Sequence, residues 1–152
     1  MRSQKLLMST VSVLIVDDFD AWRRFMIEQL NQHEDMYVLG TASDGLEGVQ
    51  KAEELQPDLI MLDIGLPKLN GIEMARRVRK LIPKAKILFL SSNADADVVR
   101  AAFSAGGSGY ILKAEAGEAL PAGIEAVRMG KRFLSNGLTG FVDLSNLGRA
   151  ET

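Results

Sequence analysis

Residues Val13 to Asp20 read VLIVDDFD. The unbroken apolar run is the pattern of a strand buried on both faces. Two adjacent carboxylates, Asp17 and Asp18, follow where that strand must hand over to a helix. The next stretch, DAWRRFMIEQLNQ, carries Trp22, Phe25, Met26 and Leu30 at helical spacing. A strand, an acidic pair and an amphipathic helix are thus the first unit of the chain, and Trp22 is expected in its core.

The same unit recurs outward from it. MYVLGTA is a second strand, and DGLEGVQKAEEL a helix closed by Pro57. DLIMLD ends on Asp63 and precedes NGIEMARRVRKL. KILFLSS ends on Ser91 and Ser92 and precedes ADADVVRAAFSA, which Gly106 and Gly107 stop. GYILK runs from Gly109 to Lys113 and precedes EALPAGIEAVRM. Pro121 is expected in the first turn of that last helix, because deeper in it would cost about 3 kcal/mol. Strands that are apolar throughout and alternate with helices predict a doubly wound parallel sheet with helices on both faces. The expected fold class is α/β, flavodoxin-like (βα)5, with strand order 2-1-3-4-5.

The bounds on the chain are consistent with this. Its 152 residues make one ordinary domain, 47% of them hydrophobic and 25% charged. Residues 1–10 read as a disordered lead, 11–130 as the domain, and 131–152 as a C-terminal extension or linker. Cys is absent, which excludes disulfides and thiolate metal sites and fits a cytoplasmic location. No apolar run approaches the roughly 18 residues of a membrane span, so no membrane partner is expected. The net charge of -2 leads to the expectation of no direct nucleic-acid binding by this chain.

All strands of a parallel sheet end at one edge, and ligands bind there near the point where strand order reverses. Asp17 and Asp18 close the first strand, Asp63 the third, Ser91 the fourth and Lys113 the fifth. Singly, each has a bland reading: an Asp that caps the next helix, a serine in a turn, a solvated lysine. Together they converge in one crevice. Like charges about 4 Å apart cost roughly 4 kcal/mol per pair at an effective dielectric near 20. Carboxylates so arranged either protonate or hold a cation, and an all-oxygen set with room for water and phosphate suits Mg²⁺.

Four motifs, VLIVDDFDAWRR, PDLIMLDIGLPKLNGIE, ILFLSSNAD and AGGSGYILK, stand in an order and spacing that resemble the response-regulator receiver domains of two-component signalling. GKRFLS further resembles the NarL/FixJ-type subgroup, whose receivers usually precede a helix-turn-helix domain. The resemblance implies that Asp63 accepts a phosphoryl group from a histidine kinase or phosphotransfer protein. Asp17, Asp18, Asp63 and the backbone carbonyl of Gly65 would hold Mg²⁺. Lys113 would pair with phosphoryl oxygens, Ser91 would hydrogen-bond them, and Tyr110 would turn inward as the aromatic switch. Output would run through the face of helix four, strand five and helix five, with a second copy of the chain as a partner.

The family often has proline after this lysine, where this chain has Ala114. No recognition-helix pattern is present either, so no DNA-binding domain is expected in these residues, whether as a single-domain receiver or a fragment of a longer regulator. The expected activity is a switch that takes the phosphoryl group on itself, with slow autodephosphorylation, rather than a turnover enzyme. Two readings compete. An aspartyl phosphohydrolase typically needs a second acid two residues after its nucleophile, where this chain has Gly65. A degenerate receiver used only for protein interaction would lack some of the acid, hydroxyl or lysine positions, all of which are filled here. His33 and the basic stripe RRVRK (Arg76 to Lys80) read as blander surface features.

Overall fold

The computed structural model describes residues 10–140 and 142–147. Most of the expected disordered lead, Phe141 and the last residues of the extension lie outside them. The strands are β1 (Val11–Val16), β2 (Met36–Ala42), β3 (Leu59–Leu62), β4 (Lys86–Ser91), β5 (Gly109–Leu112) and β6 (Phe133–Leu134). The main helices are α1 (Asp20–Asn31), α2 (Gly45–Leu55), α3 (Gly71–Leu81), α4 (Ala96–Ser104) and α5 (Ala116–Arg128), with a short α6 (Asn136–Thr139) after β6. The sheet is ordered β2-β1-β3-β4-β5-β6 and every pairing is parallel. The expected order stands, with one strand added at the β5 edge.

Alternation along each strand sends side chains to two cores. Leu14, Val16, Ile60, Leu62, Phe89 and Tyr110 pack with α2, α3 and α4. Val13, Ile15, Met61, Leu88, Leu90 and Ile111 pack with α1 and α5. Burial on both faces explains why the strands read as apolar throughout. Among the described residues no helix is long and apolar enough to cross a membrane.

Register places the site. Val16 pairs with Leu62, so Asp17 and Asp63, the next residues on each strand, emerge side by side. Ser91 pairs with Leu112, so Lys113 emerges one step beyond Ser91. The loop after β3 then folds back tightly. Gly71, the first residue of α3, donates its N–H to the Ile64 carbonyl at 2.8 Å, and a Cβ there would stand 2.0 Å from the Asp63 carbonyl oxygen. Only glycine lets α3 start this close to the strand end.

One feature departs from expectation. A 3-10 turn at Lys113–Glu115 leads into α5, which makes Pro121 an interior residue rather than a first-turn one. The proline is tolerated because Pro121 and Gly117, whose carbonyl loses its helical donor, both face solvent, where water can donate instead. The segment after residue 130, for which the sequence leaves a docked helical turn and a linker both open, packs on the domain: Leu134, Leu138, Val142 and Leu147 are buried in the same core as Phe89 and Tyr110.

Candidate functional site

Asp17 is buried, Asp63 is half-buried and Asp18 is exposed, and one carboxylate oxygen from each lies within 4.8 Å of the others. The sequence-predicted cluster therefore assembles. Lys113 closes it, with Nζ 2.7 Å from Asp17 Oδ2 and 3.2 Å from Asp63 Oδ2. Backbone donors hold the remaining oxygens: the Phe19 N–H donates to Asp17 Oδ1 at 2.9 Å, and the Ile64 N–H to Asp63 Oδ1 at 2.7 Å.

Asp17 Oδ2 is ion-paired but not aligned for a hydrogen bond, and no other group supplies one. A buried carboxylate oxygen with free acceptor capacity, beside two further carboxylates, is a donor set suited to a hard divalent cation. The electrostatics agree. Burial pushes the Asp17 carboxyl above its ordinary range, against the lowering effect of Lys113 and the Phe19 N–H. Burial works to lower Lys113, but its close ion pair with Asp17 and the charge of Asp63 outweigh it and hold the ammonium above its usual value. A cluster held this way keeps its lysine charged at neutral pH.

Ser91 ends β4, buried, and its Oγ accepts from the Asn93 N–H at 3.1 Å. Tyr110 is fully buried and its hydroxyl donates to the Asn93 carbonyl at 2.6 Å. The Tyr110 side chain therefore lies inward, in the core. Burial pushes the Tyr110 hydroxyl's pKa up, with the Ser91 hydroxyl opposing. Gly65 is exposed in the loop after Asp63, and a Cβ there would meet nothing. His33 follows α1 at the opposite edge of the sheet.

Several contributors escaped the sequence reading. Trp22 is half-buried, and the Lys113 ammonium stands over its ring. Arg23 donates to the Asp17 backbone carbonyl at 2.6 Å. Asn93 links Ser91 to Tyr110, and its own Oδ1 accepts from the Asp95 N–H, a side-chain turn that the NAD spelling of residues 93–95 could have signalled. Glu115 binds the Gly137 N–H with both carboxylate oxygens, at 3.1 and 2.9 Å, and ties the turn after Lys113 to the docked segment.

A family model for the response regulator receiver domain matches residues 13–125. The chain is 32% identical over 129 residues to the transcriptional regulatory protein LnrK of Bacillus subtilis (strain 168), covering 85% of this chain and 59% of that protein. It is 35% identical over 129 residues to the nitrate/nitrite response regulator protein NarL of Escherichia coli (strain K12), covering 84% and 59%. A two-component response regulator of the LuxR family from Aurantimonas sp. SI85-9A1 superposes with a TM-score of 0.83 at 30% identity, over 87% of this chain and 94% of that one. The chain therefore spans 59% of the length of LnrK and NarL.

These findings correct the expectation of no direct nucleic-acid binding. LnrK is a transcriptional regulatory protein, and RcsB, similar in fold with a TM-score of 0.80 at 23% identity, has been solved as dimers bound to DNA. The expectation rested on net charge, which averages over the whole chain and does not report a local patch. The motifs, the sheet order and the family match agree, and the chain belongs to the response-regulator receiver domains of two-component signalling.

Proposed function

We propose that this receiver acts as a phosphorylation switch in which Asp63 is the acceptor. The observation that carries the reading is the meeting of Asp17, Asp18 and Asp63 within 4.8 Å, closed by Lys113 at 3.2 Å from Asp63. An Asp63 carboxylate oxygen attacks the phosphorus of a kinase phosphohistidine. The P–N bond breaks, and its electron pair returns to the imidazole nitrogen, which takes up a proton. Asp17, Asp18, Asp63 and the Gly65 carbonyl would hold Mg²⁺, which when bound neutralises charge on the transferring phosphoryl group. Lys113 supplies a second positive charge to the same oxygens, and Asp17 holds its ammonium in place.

Once formed, the acyl phosphate adds about -1.5 to -2 charge at the end of β3. Lys113 then has a new partner in place of Asp63, and the Ser91 hydroxyl a new acceptor. Ser91 and Tyr110 both hold Asn93, so a shift of Ser91 loosens the turn that starts α4. Gly65 offers no base to activate water, which fits slow loss of the phosphoryl group rather than turnover. The docked segment from residue 131 rests against Tyr110 and works with the 11–130 unit as one body. A cytoplasmic location suits a kinase-fed switch, and the relatives suggest transcriptional output.

The test is intact-mass measurement after incubation with acetyl phosphate and Mg²⁺. One labile phosphate adduct is expected, absent from Asp63→Asn and absent without the metal. An adduct of normal yield on Asp63→Asn would remove the assignment, and steady phosphate release would favour a hydrolase.

A further inference from the structure

The net charge of -2 conceals a segregation of charge. Among the described residues, the Lys and Arg side chains that make no ion pair all gather in one region. Arg77, Arg79 and Lys80 lie on the second half of α3. Lys84 follows in the loop into β4, and Lys86 opens that strand. Lys131 and Arg132 lead into β6. In a parallel sheet these positions face the edge where strands begin, opposite the carboxylate site. Residues 77–86 and 126–133, which carry these cations, contain no Asp or Glu.

The edge is concave. One hollow lies between Arg76, Arg79, Lys80 and the end of α4. It shares Arg79 with a second, floored by Gly106, Gly107 and Ser108 and walled by Lys86 and Arg132. That hollow shares Lys86 with a third, which reaches Lys84 and Arg128. The wall is built rather than loose. Gly106 adopts a φ of 115°, a Cβ there would press within 3.0 Å of the Arg79 stem, and the Arg79 guanidinium donates to the Ser104 carbonyl at 3.2 Å. The one carboxylate lining these hollows, Asp58, accepts from both the N–H and the hydroxyl of Ser12, at 2.9 and 3.1 Å.

We infer that this groove binds the phosphate backbone of double-stranded nucleic acid without reading its bases. A run of unpaired cations in which Asp58, bonded to Ser12, is the one lining carboxylate is the electrostatic footprint of a polyanion site. No exposed aromatic lines it, since Phe103 is buried, so unpaired bases would find nothing to stack on. The concavity fits the ridge of a duplex backbone rather than a flat bilayer. Base readout would need a helix or ribbon projecting into a DNA groove, and this edge projects neither. The inference goes beyond the phosphorylation switch and does not depend on it.

Fluorescence anisotropy of a labelled random-sequence duplex of about 20 base pairs tests this between roughly 50 and 200 mM salt. The wild-type chain should bind, with log affinity falling linearly against log salt at a slope of about -3 or steeper. The variant carrying Lys80→Gln, Lys84→Gln and Lys86→Gln should bind at least about tenfold more weakly, with a slope shallower by about 2 to 3. Lys84→Gln alone, at an exposed loop position, should move both in the same direction by less. Acetyl-phosphate labelling of the same variants should be unchanged, which separates the groove from the switch and shows the fold intact. Absence of duplex binding at low salt overturns the inference, as does equal binding by wild type and the triple variant. Tighter binding of single strands, or capture by anionic vesicles without duplex binding, overturns it too.

Discussion

The Lys113 ammonium stands 5.0 Å from the centroid of the Trp22 ring, with Asp17 2.7 Å away and Asp63 3.2 Å away. Two carboxylates pull the lysine and an indole face backs it, so its position is set by three neighbours on three elements. Trp22 in turn packs against Phe25, ring centroids 5.0 Å apart, which fixes the indole on α1.

Trp22→Leu should keep the fold but loosen Lys113. A cation over an indole contributes about 0.5–1 kcal/mol at exposed sites and about 2 when desolvated. The rate of Asp63 phosphorylation by acetyl phosphate should fall by roughly three- to tenfold, with Trp22→Phe recovering part of the loss. Stopped-flow mass measurements check it. Equal rates for Trp22→Leu and wild type would show that the carboxylates alone hold the lysine.

Asp18→Ala should weaken Mg²⁺ binding by at least about tenfold, equivalent to about 1.4 kcal/mol. Asp18 is the exposed member of the cluster, so its removal leaves the buried Asp17–Lys113 pair intact. Calorimetric titration reads the affinity, and Trp22 fluorescence offers an independent signal. Unchanged binding would move the metal off this carboxylate.

Leu138→Ala should destabilise the protein by about 2–5 kcal/mol, because Leu138 is fully buried in the core that holds Tyr110 and Phe89. Truncation after Gly130 should cost more, since Leu134, Val142 and Leu147 leave that core as well. Urea unfolding followed by circular dichroism compares the variants. A truncated chain as stable as the full one would mean that the docked segment contributes nothing to the fold.

Acid should weaken the start of α2. The Asp44 side chain caps α2 at the Glu47 N–H, and that hydrogen bond, with the Lys68 charge, holds its carboxyl below the ordinary range. The Ser43 N–H does the same for Glu47. Both carboxyls bind protons less readily folded than unfolded. Their stabilisation is therefore complete above the ordinary carboxylate values near about 4 and is lost as pH falls through the lower folded values. Asp17 runs the other way: its raised value means its charge opposes folding at neutral pH, and acid relieves that. Asp44→Asn, an equally good cap, should keep stability near neutral pH and shrink the acid loss, read from thermal melts between about pH 3 and 7. An acid loss identical to that of wild type would rule out Asp44 as a contributor.

The sequence by itself determined the layers, the parallel order and the members of the carboxylate site. Strands apolar throughout can only be buried on both faces, and every strand end of such a sheet must share one edge, so Asp17, Asp18, Asp63, Ser91 and Lys113 were legible from position alone. Register, which only the tertiary structure decides, set Asp17 beside Asp63 and brought Lys113 to both. The contact of Lys113 with Trp22 depends on the angle at which α1 crosses the sheet, and helical spacing alone reads Trp22 as core. The docking of residues 133–140 and 142–147 could not be told from a linker in the sequence, because their apolar residues follow no single period: a two-residue strand, one helical turn and an irregular tail each bury one or two side chains on a surface that β5 provides. Pairing of charge likewise escaped the composition. Whether a lysine meets a carboxylate depends on which elements become neighbours, and in this fold the cations left without an ion pair among the described residues collect where the strands begin.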